Sequence, residues 1–146
     1  MLLIQVWTLF HPLTQSFHDW AFDYLHNINL PLDNFISRSN HTFLGNPLHV
    51  QRIYEVIEKA MSHEDASDRD CVEACKLSES LVLNCPGALD AYIPQLLALL
   101  VARIRSSDLR VQQGQGQAMR AYCRTELMKM AAICLYYNPQ VLLRLY

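Results

Sequence analysis

Asn46-Pro47-Leu48-His49-Val50-Gln51-Arg52-Ile53-Tyr54-Glu55-Val56-Ile57-Glu58-Lys59-Ala60-Met61-Ser62 is the stretch that decides the fold. Asn can cap the free N–H groups of a helix, and Pro is tolerated at the first helical position. Val50, Ile53, Ile57 and Met61 then recur at three- and four-residue spacing, with Tyr54 beside them. Gln51, Glu55, Glu58 and Lys59 take the other face, which predicts an amphipathic helix ending near Ser62.

Working outward, the polar linker His63-Glu64-Asp65-Ala66 leads to Ser67-Asp68-Arg69-Asp70, a capping box with Asp in place of Glu or Gln. Cys71, Ala74, Cys75, Ser78, Val82 and Cys85 form the next stripe, widened by Leu77 and Leu81, and Pro86-Gly87 stops it. A third helix is expected from Ala88 or Pro94 to Arg105. It carries Ile93, Leu96, Leu97, Leu100 and Ile104 on one side. Leu99 and Val101 make it nearly apolar all round, as for a helix covered on several sides. Ser106-Ser107-Asp108 could cap another short helix, which Gln112-Gln113-Gly114-Gln115-Gly116-Gln117 would break. A helical pattern resumes from Ala118 to Tyr137, Asn138-Pro139 ends it, and Val141–Tyr146 reads as the start of a further helix. Before residue 46, short helices are expected around Phe17–Leu25 and Pro31–Ile36, with a turn at Gly45-Asn46-Pro47.

These helix starts step by roughly 21 to 26 residues, so each helix pair spans about 45, the HEAT or armadillo period. One helical hairpin cannot bury its apolar face alone, so neighbours must stack. The expected class is therefore all-α, stacked antiparallel helix pairs, a HEAT/armadillo-like partial α-solenoid. Residues 1–45 would be irregular or short helices forming a partial repeat. Residues 46–146 would be HEAT-like repeats with an interruption near 112–117. The whole reads as a slice of an array. Hydrophobic residues at 51%, with only 4 Gly and 6 Pro, agree with helix rather than an all-β chain rich in tight turns.

Net charge is −2, which does not suggest direct nucleic-acid binding. Charge is unevenly placed: residues 1–100 hold 12 acids and 5 bases, residues 101–146 hold 2 and 7. The segment Glu55–Glu79 concentrates 8 acids against 3 bases. A local negative field raises encounter rates with basic partners, which makes Glu64, Asp65, Asp68 and Asp70 candidate contacts; the alternative is a solvated helix face and loop. The apolar start Met1–Phe10 lacks a basic leader and a cleavage site, so no signal peptide is expected. The run Ile93–Ala102 is too short to insert in a membrane.

Catalytic and ligand chemistry finds little footing. Ser16, His18 and Asp19 are adjacent but cannot face one another on a helix. The histidines form no H-E-x-x-H and pair with no cysteine at zinc spacing. Cys71 and Cys75 sit in an apolar stripe and read as core thiols, and Gly114-Gln115-Gly116 lacks the strand and Lys of a phosphate loop. Tyr136 and Tyr137 diverge by about 100° on a helix and read as packing rather than recognition. No catalytic residue, cofactor or metal ligand is expected.

A resemblance adds to this pattern. Asn34-Phe35-Ile36, Thr42-Phe43-Leu44-Gly45-Asn46-Pro47, Cys71-Val72-Glu73-Ala74-Cys75-Lys76-Leu77, Ile93-Pro94-Gln95-Leu96-Leu97, and above all Leu135-Tyr136-Tyr137-Asn138-Pro139 with Val141-Leu142-Leu143, appear in order. Together they are similar to the C-terminal third of the importin-seven and importin-eight receptors, in the importin-beta superfamily. The resemblance covers about residues 33–111 and 131–146, while Gln112–Lys129 interrupts the family's pattern. It implies a C-terminal HEAT-repeat segment, truncated and rearranged, of a nuclear import receptor that shuttles between nucleus and cytoplasm. Its partners would be protein cargo, including basic histone-like and ribosomal proteins, with the Ran GTPase and nuclear pore proteins engaged by the full-length receptors. The alternatives are a HEAT scaffold outside nuclear transport or a non-functional receptor fragment.

Overall fold

A computed structural model describes the backbone of residues 2–145, and the side chains between them except those at 2, 3, 141, 142 and 145. The chain runs α1 (Leu2–Trp7), α2 (Phe10–Asp19), α3 (Leu25–Ser37), α4 (Asn40–Leu44), α5 (Pro47–Ser62), α6 (Asp68–Asn84), α7 (Ile93–Gln112), α8 (Ala121–Tyr137) and α9 (Pro139–Leu145). Short 3-10 turns at Phe22–Tyr24 and Asp90–Tyr92 lead into α3 and α7. No strand occurs among the described residues.

α5 begins as its sequence requires: Asn46 Oδ1 accepts from Leu48 N at 3.1 Å, with Pro47 in the first turn. Its buried face is wider than the four-residue stripe, because Val56 and Ala60 are also fully enclosed. α5 is flanked by α2 and α7 and lies on α6, so three neighbours cover it. α6 starts on a reciprocal box. Asp70 N donates to Ser67 Oγ at 3.2 Å, and Ser67 N donates to Asp70 Oδ2 at 2.8 Å. Its stop uses Gly87 at φ +83°, a left-handed backbone that glycine adopts without a Cβ penalty.

Side-chain bonds fix the register of the stack. Lys59 Nζ donates to His18 O at 2.9 Å, the Tyr54 and Tyr92 rings lie 4.4 Å apart, and Arg103 reaches Ala66 O at 2.7 Å. These place α2, α5 and α7 side by side and parallel. Asn29 Nδ2 donates to Glu73 O at 3.0 Å, Ser80 Oγ to Asp33 Oδ1, and Arg120 N to Asp68 Oδ2 at 3.0 Å. These place α3, α6 and α8 side by side and parallel. The pairs α2/α3, α5/α6 and α7/α8 are antiparallel and share one core, with Phe17, Ile36, Ile53, Leu81 and Leu96 fully buried. The architecture is all-α, stacked antiparallel helix pairs, as the spacing of the helix starts predicts.

Several boundaries differ from expectation. A helix was expected over Phe17–Leu25, but α2 begins at Phe10 and the chain turns at Trp20-Ala21, where both N–H groups donate to Ser16 O. Pro31 lies inside α3 instead of starting a helix. The ring forfeits one backbone bond, yet burial of Leu25, Ile28, Leu32, Phe35 and Ile36 on the neighbouring helices outweighs it.

α7 continues through Ser106-Ser107-Asp108 to Gln112, and these residues cap nothing. Ser107 Oγ instead accepts from Met119 N at 3.0 Å, and Asp108 Oδ1 accepts from Arg124, so both hold the returning chain. The third helix is also not covered on several sides. Ile93, Leu96 and Leu100 are buried, but Val101, Leu109 and Val111 are exposed. α8 starts at Ala121, three residues after the expected Ala118, since Met119 and Arg120 are drawn into contacts with Ser107 and Asp68. The expected helix at Val141–Tyr146 falls within α9, with the side chains of Val141 and Leu142 and all of Tyr146 outside the described residues.

Candidate functional site

The acidic segment Glu55–Glu79 spans both helix layers, and the packing divides it. Glu64 and Asp65 are exposed on the turn between α5 and α6, where Asp65 N donates to His63 Nδ1 at 3.2 Å. Asp68 and Asp70 are half-buried and already engaged. Asp68 accepts from Arg120 N and lies 3.8 Å from Arg103, while Asp70 closes the capping box. Glu73 is held by Asn29 Nδ2 at 2.6 Å and Lys76 at 3.0 Å. Glu79 lies 3.6 Å from Lys129. The four candidate residues therefore do not form one surface: two face outward and two serve the fold.

On α5 neither Glu55 nor Glu58 is in an ion pair among the described residues, although Arg52 and Lys59 share their helix. Glu55 accepts from Gln51 at 3.1 Å, and Glu58 is exposed. Lys59, the cation beside them, is tied down through His18 O and lies 5.4 Å from the Phe17 and Phe22 ring centroids. Glu55 and Glu58 line a shallow cleft with Gln15, His18, Lys59 and Ser62. His18 is held below its usual pKa by burial and then by the Lys59 charge, so the cleft gains no imidazolium near neutral pH. The outward negative strip is thus Glu58, Glu64 and Asp65, with half-buried Glu55 at its edge. Glu55 and Glu58 read from the sequence only as a polar helix face, because nothing local signals that α2 brings Gln15 and His18 against them.

The other sequence candidates fall as follows. Ser16 Oγ donates to Leu13 O at 2.8 Å and Asp19 accepts from Gln15, and no hydrogen bond joins Ser16, His18 and Asp19 among the described residues. Cys71 and Cys75 are buried free thiols. Gly114 and Gly116 lie in an exposed connection. No group of three or more His, Cys, Asp or Glu side chains suited to a metal ion occurs among the described residues. No described helix is long and apolar enough to cross a membrane. Tyr136 and Tyr137 do not pack into the core as expected: they are 78% and 51% exposed, with Tyr137 bordering a small cavity beside Val82 and Cys85 at the end of α6. A second concavity, between α2 and α3, is almost wholly apolar, with Leu9, Leu13, Trp20, Tyr24 and Leu30 on its walls.

Comparison with known proteins places this architecture. A probable importin-7 homolog of Dictyostelium discoideum is 29% identical over 136 residues, covering 93% of this chain and 12% of that protein. The importin beta-like SAD2 homolog of Arabidopsis thaliana is 26% identical, covering 96% of this chain and 13% of that protein. Human importin-8 is 28% identical over 144 residues, covering 95% of this chain and 12% of that protein. The similarity thus extends past residues 33–111 and 131–146, while the chain spans about an eighth of the length of these relatives. No family model and no solved structure matches. With three stacked helix pairs and similarity along nearly its whole length, the chain resembles a segment of the importin-7 and importin-8 receptors of the importin-beta superfamily.

Proposed function

We propose that this chain is a protein-binding segment of an importin-like nuclear import receptor, and that its outer α5 strip attracts basic protein cargo. The observation that carries the reading is the set of acids Glu58, Glu64 and Asp65, all exposed, with half-buried Glu55 beside them and none of them in an ion pair with Lys or Arg among the described residues. Surface charges of this kind contribute little to static affinity, but they steer encounter and set salt dependence. Histone-like and ribosomal proteins are the cargo class such a field favours. On this reading residues 1–45 form a partial repeat and residues 46–146 the HEAT-like repeats, interrupted near 112–117. The whole receptor would meet Ran and nuclear pore proteins elsewhere along its length and shuttle between nucleus and cytoplasm.

The test is a titration of the purified chain with a core histone from low to high salt. Binding is expected to weaken as the Debye length shrinks from about 30 Å at 0.01 M to about 8 Å at 0.15 M. A variant carrying Glu55→Gln, Glu58→Gln, Glu64→Gln and Asp65→Asn is expected to lose most of the salt-sensitive part. Equal binding by the variant, or none by the folded native chain, would refute the assignment. A pull-down with Ran in its GTP-bound state, using the full receptor, separates transport from a scaffold role, since only the transport reading expects release.

A further inference from the structure

Five cysteines are buried, and two of them stand apart from the rest. Cys71 lies in the first turn of α6 and Cys123 in the first turn of α8. The two helices are parallel, and the Arg120 N to Asp68 Oδ2 bond, 3.0 Å, fixes their starts side by side. One helical step beyond that bond on each helix come Cys71 and Cys123, which this register sets against each other at the buried seam, and Cys71 Sγ also lies 3.9 Å from Ala60 O. The α6 face at this seam is built from small residues, Cys71, Ala74, Cys75 and Ser78, all buried. Small side chains bring helix axes to the short end of the usual 8–10 Å, the approach a helix-to-helix disulfide requires.

Electrostatics separates the two sulfurs. Cys71 is shifted downward, first by the neighbouring Cys123 thiol and also by the Arg103 guanidinium, against the opposing effects of burial, Cys75 and the Asp68 carboxylate. Cys123 is shifted upward, first by Cys71 and then by burial. The remaining thiols move upward by burial, Cys75 to about 12 and Cys134 to about 11, and Cys85 in the same direction. Thiolates, not thiols, are the nucleophiles, and helix N-termini with a nearby Arg favour them.

We propose that Cys71 and Cys123 form a reversible thiol–disulfide pair that staples α6 to α8, with hydrogen peroxide as the oxidant. The Cys71 thiolate attacks one peroxide oxygen, the O–O bond breaks, and hydroxide leaves to be protonated to water. Cys71 is now a sulfenic acid. Cys123 gives up its proton and attacks the Cys71 sulfur, the S–O bond breaks, and a second water leaves. Two thiols and one peroxide thus become one disulfide and two waters. Both sulfurs are fully buried, so the oxidant enters by opening of the α8 start. That start has no side-chain cap, and the connection before it, 112–118, is exposed throughout.

The test treats the native full chain with peroxide, with circular dichroism confirming that its helices persist, and maps the products by mass spectrometry without reductant. The expected result is loss of two hydrogens from the intact mass, a peptide joining Cys71 to Cys123, a higher melting temperature, and full reversal by dithiothreitol. A Cys123→Ser chain should instead accumulate sulfenic acid at Cys71, trapped by a dimedone probe. The proposal is overturned if the native chain stays reduced at both sites, if Cys75 takes the place of either partner, or if the link forms only in denaturant. The native-chain map needs no variant to fold, and its outcome is independent of cargo binding.

Discussion

Replacing Asp68 distinguishes a fold-supporting acid from a surface one. In the native chain Asp68 opens α6, accepts from Arg120 N at 3.0 Å, and lies 3.8 Å from Arg103 with its side chain 23% exposed. A carboxylate at a helix start contributes about 0.3–1 kcal/mol through the dipole. A hydrogen bond to a charged group contributes about 1.5 kcal/mol at the low end of its range, appropriate for this partly exposed site. The long Arg103 contact adds little, because that guanidinium keeps Ala66 O. Asp68→Ala should therefore cost about 2 kcal/mol, and Asp68→Asn about 1, since an amide oxygen still accepts from Arg120 N. Asp65→Ala, on the exposed turn, should stay within about 0.5 kcal/mol. Urea unfolding followed by circular dichroism measures all three at constant salt. Equal losses for Asp68→Ala and Asp65→Ala would refute the claim that the acidic segment is split between fold and surface.

Pro31→Ala should stabilise the chain by about 1–3 kcal/mol, because it restores a donor inside α3, and thermal melting would show the rise. Ile57→Ala empties a fully enclosed site under three helices and should cost about 2–5 kcal/mol, read from the urea midpoint. The depressed pKa of His18 means that the unfolded chain binds protons there before the folded one does. That contribution is fully present above the ordinary value of 6.5 and is lost as pH falls through the window below it. Replacing His18 by Asn should flatten this part of a stability–pH curve, and an unchanged slope would count against the assignment.

What the sequence discloses about this fold is what its local chemistry controls. α5 and α6 were legible to the residue because Asn46, Pro47, Ser67 and Asp70 satisfy their own helix starts within a few positions. α3 was not, since Pro31 argues locally against a helix that only burial by α2 and α6 sustains. The end of α7 misled for a related reason: Ser107 and Asp108 look like caps, but their partners are Met119 and Arg124. The candidate site behaves likewise. Its negative charge can be counted along the chain. Which acids are occupied depends on Arg103 and Arg120, far away in sequence. The pairing of Cys71 with Cys123 has no spacing signal at all and emerges only from the parallel register of α6 and α8.

The open crossing from α7 to α8 makes the chain a natural host for grafted sequence. Its ends are pinned where Met119 N meets Ser107 and Arg120 N meets Asp68, while residues 112–118 touch little and include Gly114 at φ +67°. Doubling the length of such a connection costs only about 0.6 kcal/mol in closure entropy. A fluorescent tag inserted beside Gln115 should therefore leave the helix stack intact. A protease that nicks there should yield two pieces that co-elute, held by the α6–α8 seam and the shared core. The acidic strip on α5 is in the other layer from α8, so such a reporter would watch binding without being part of it.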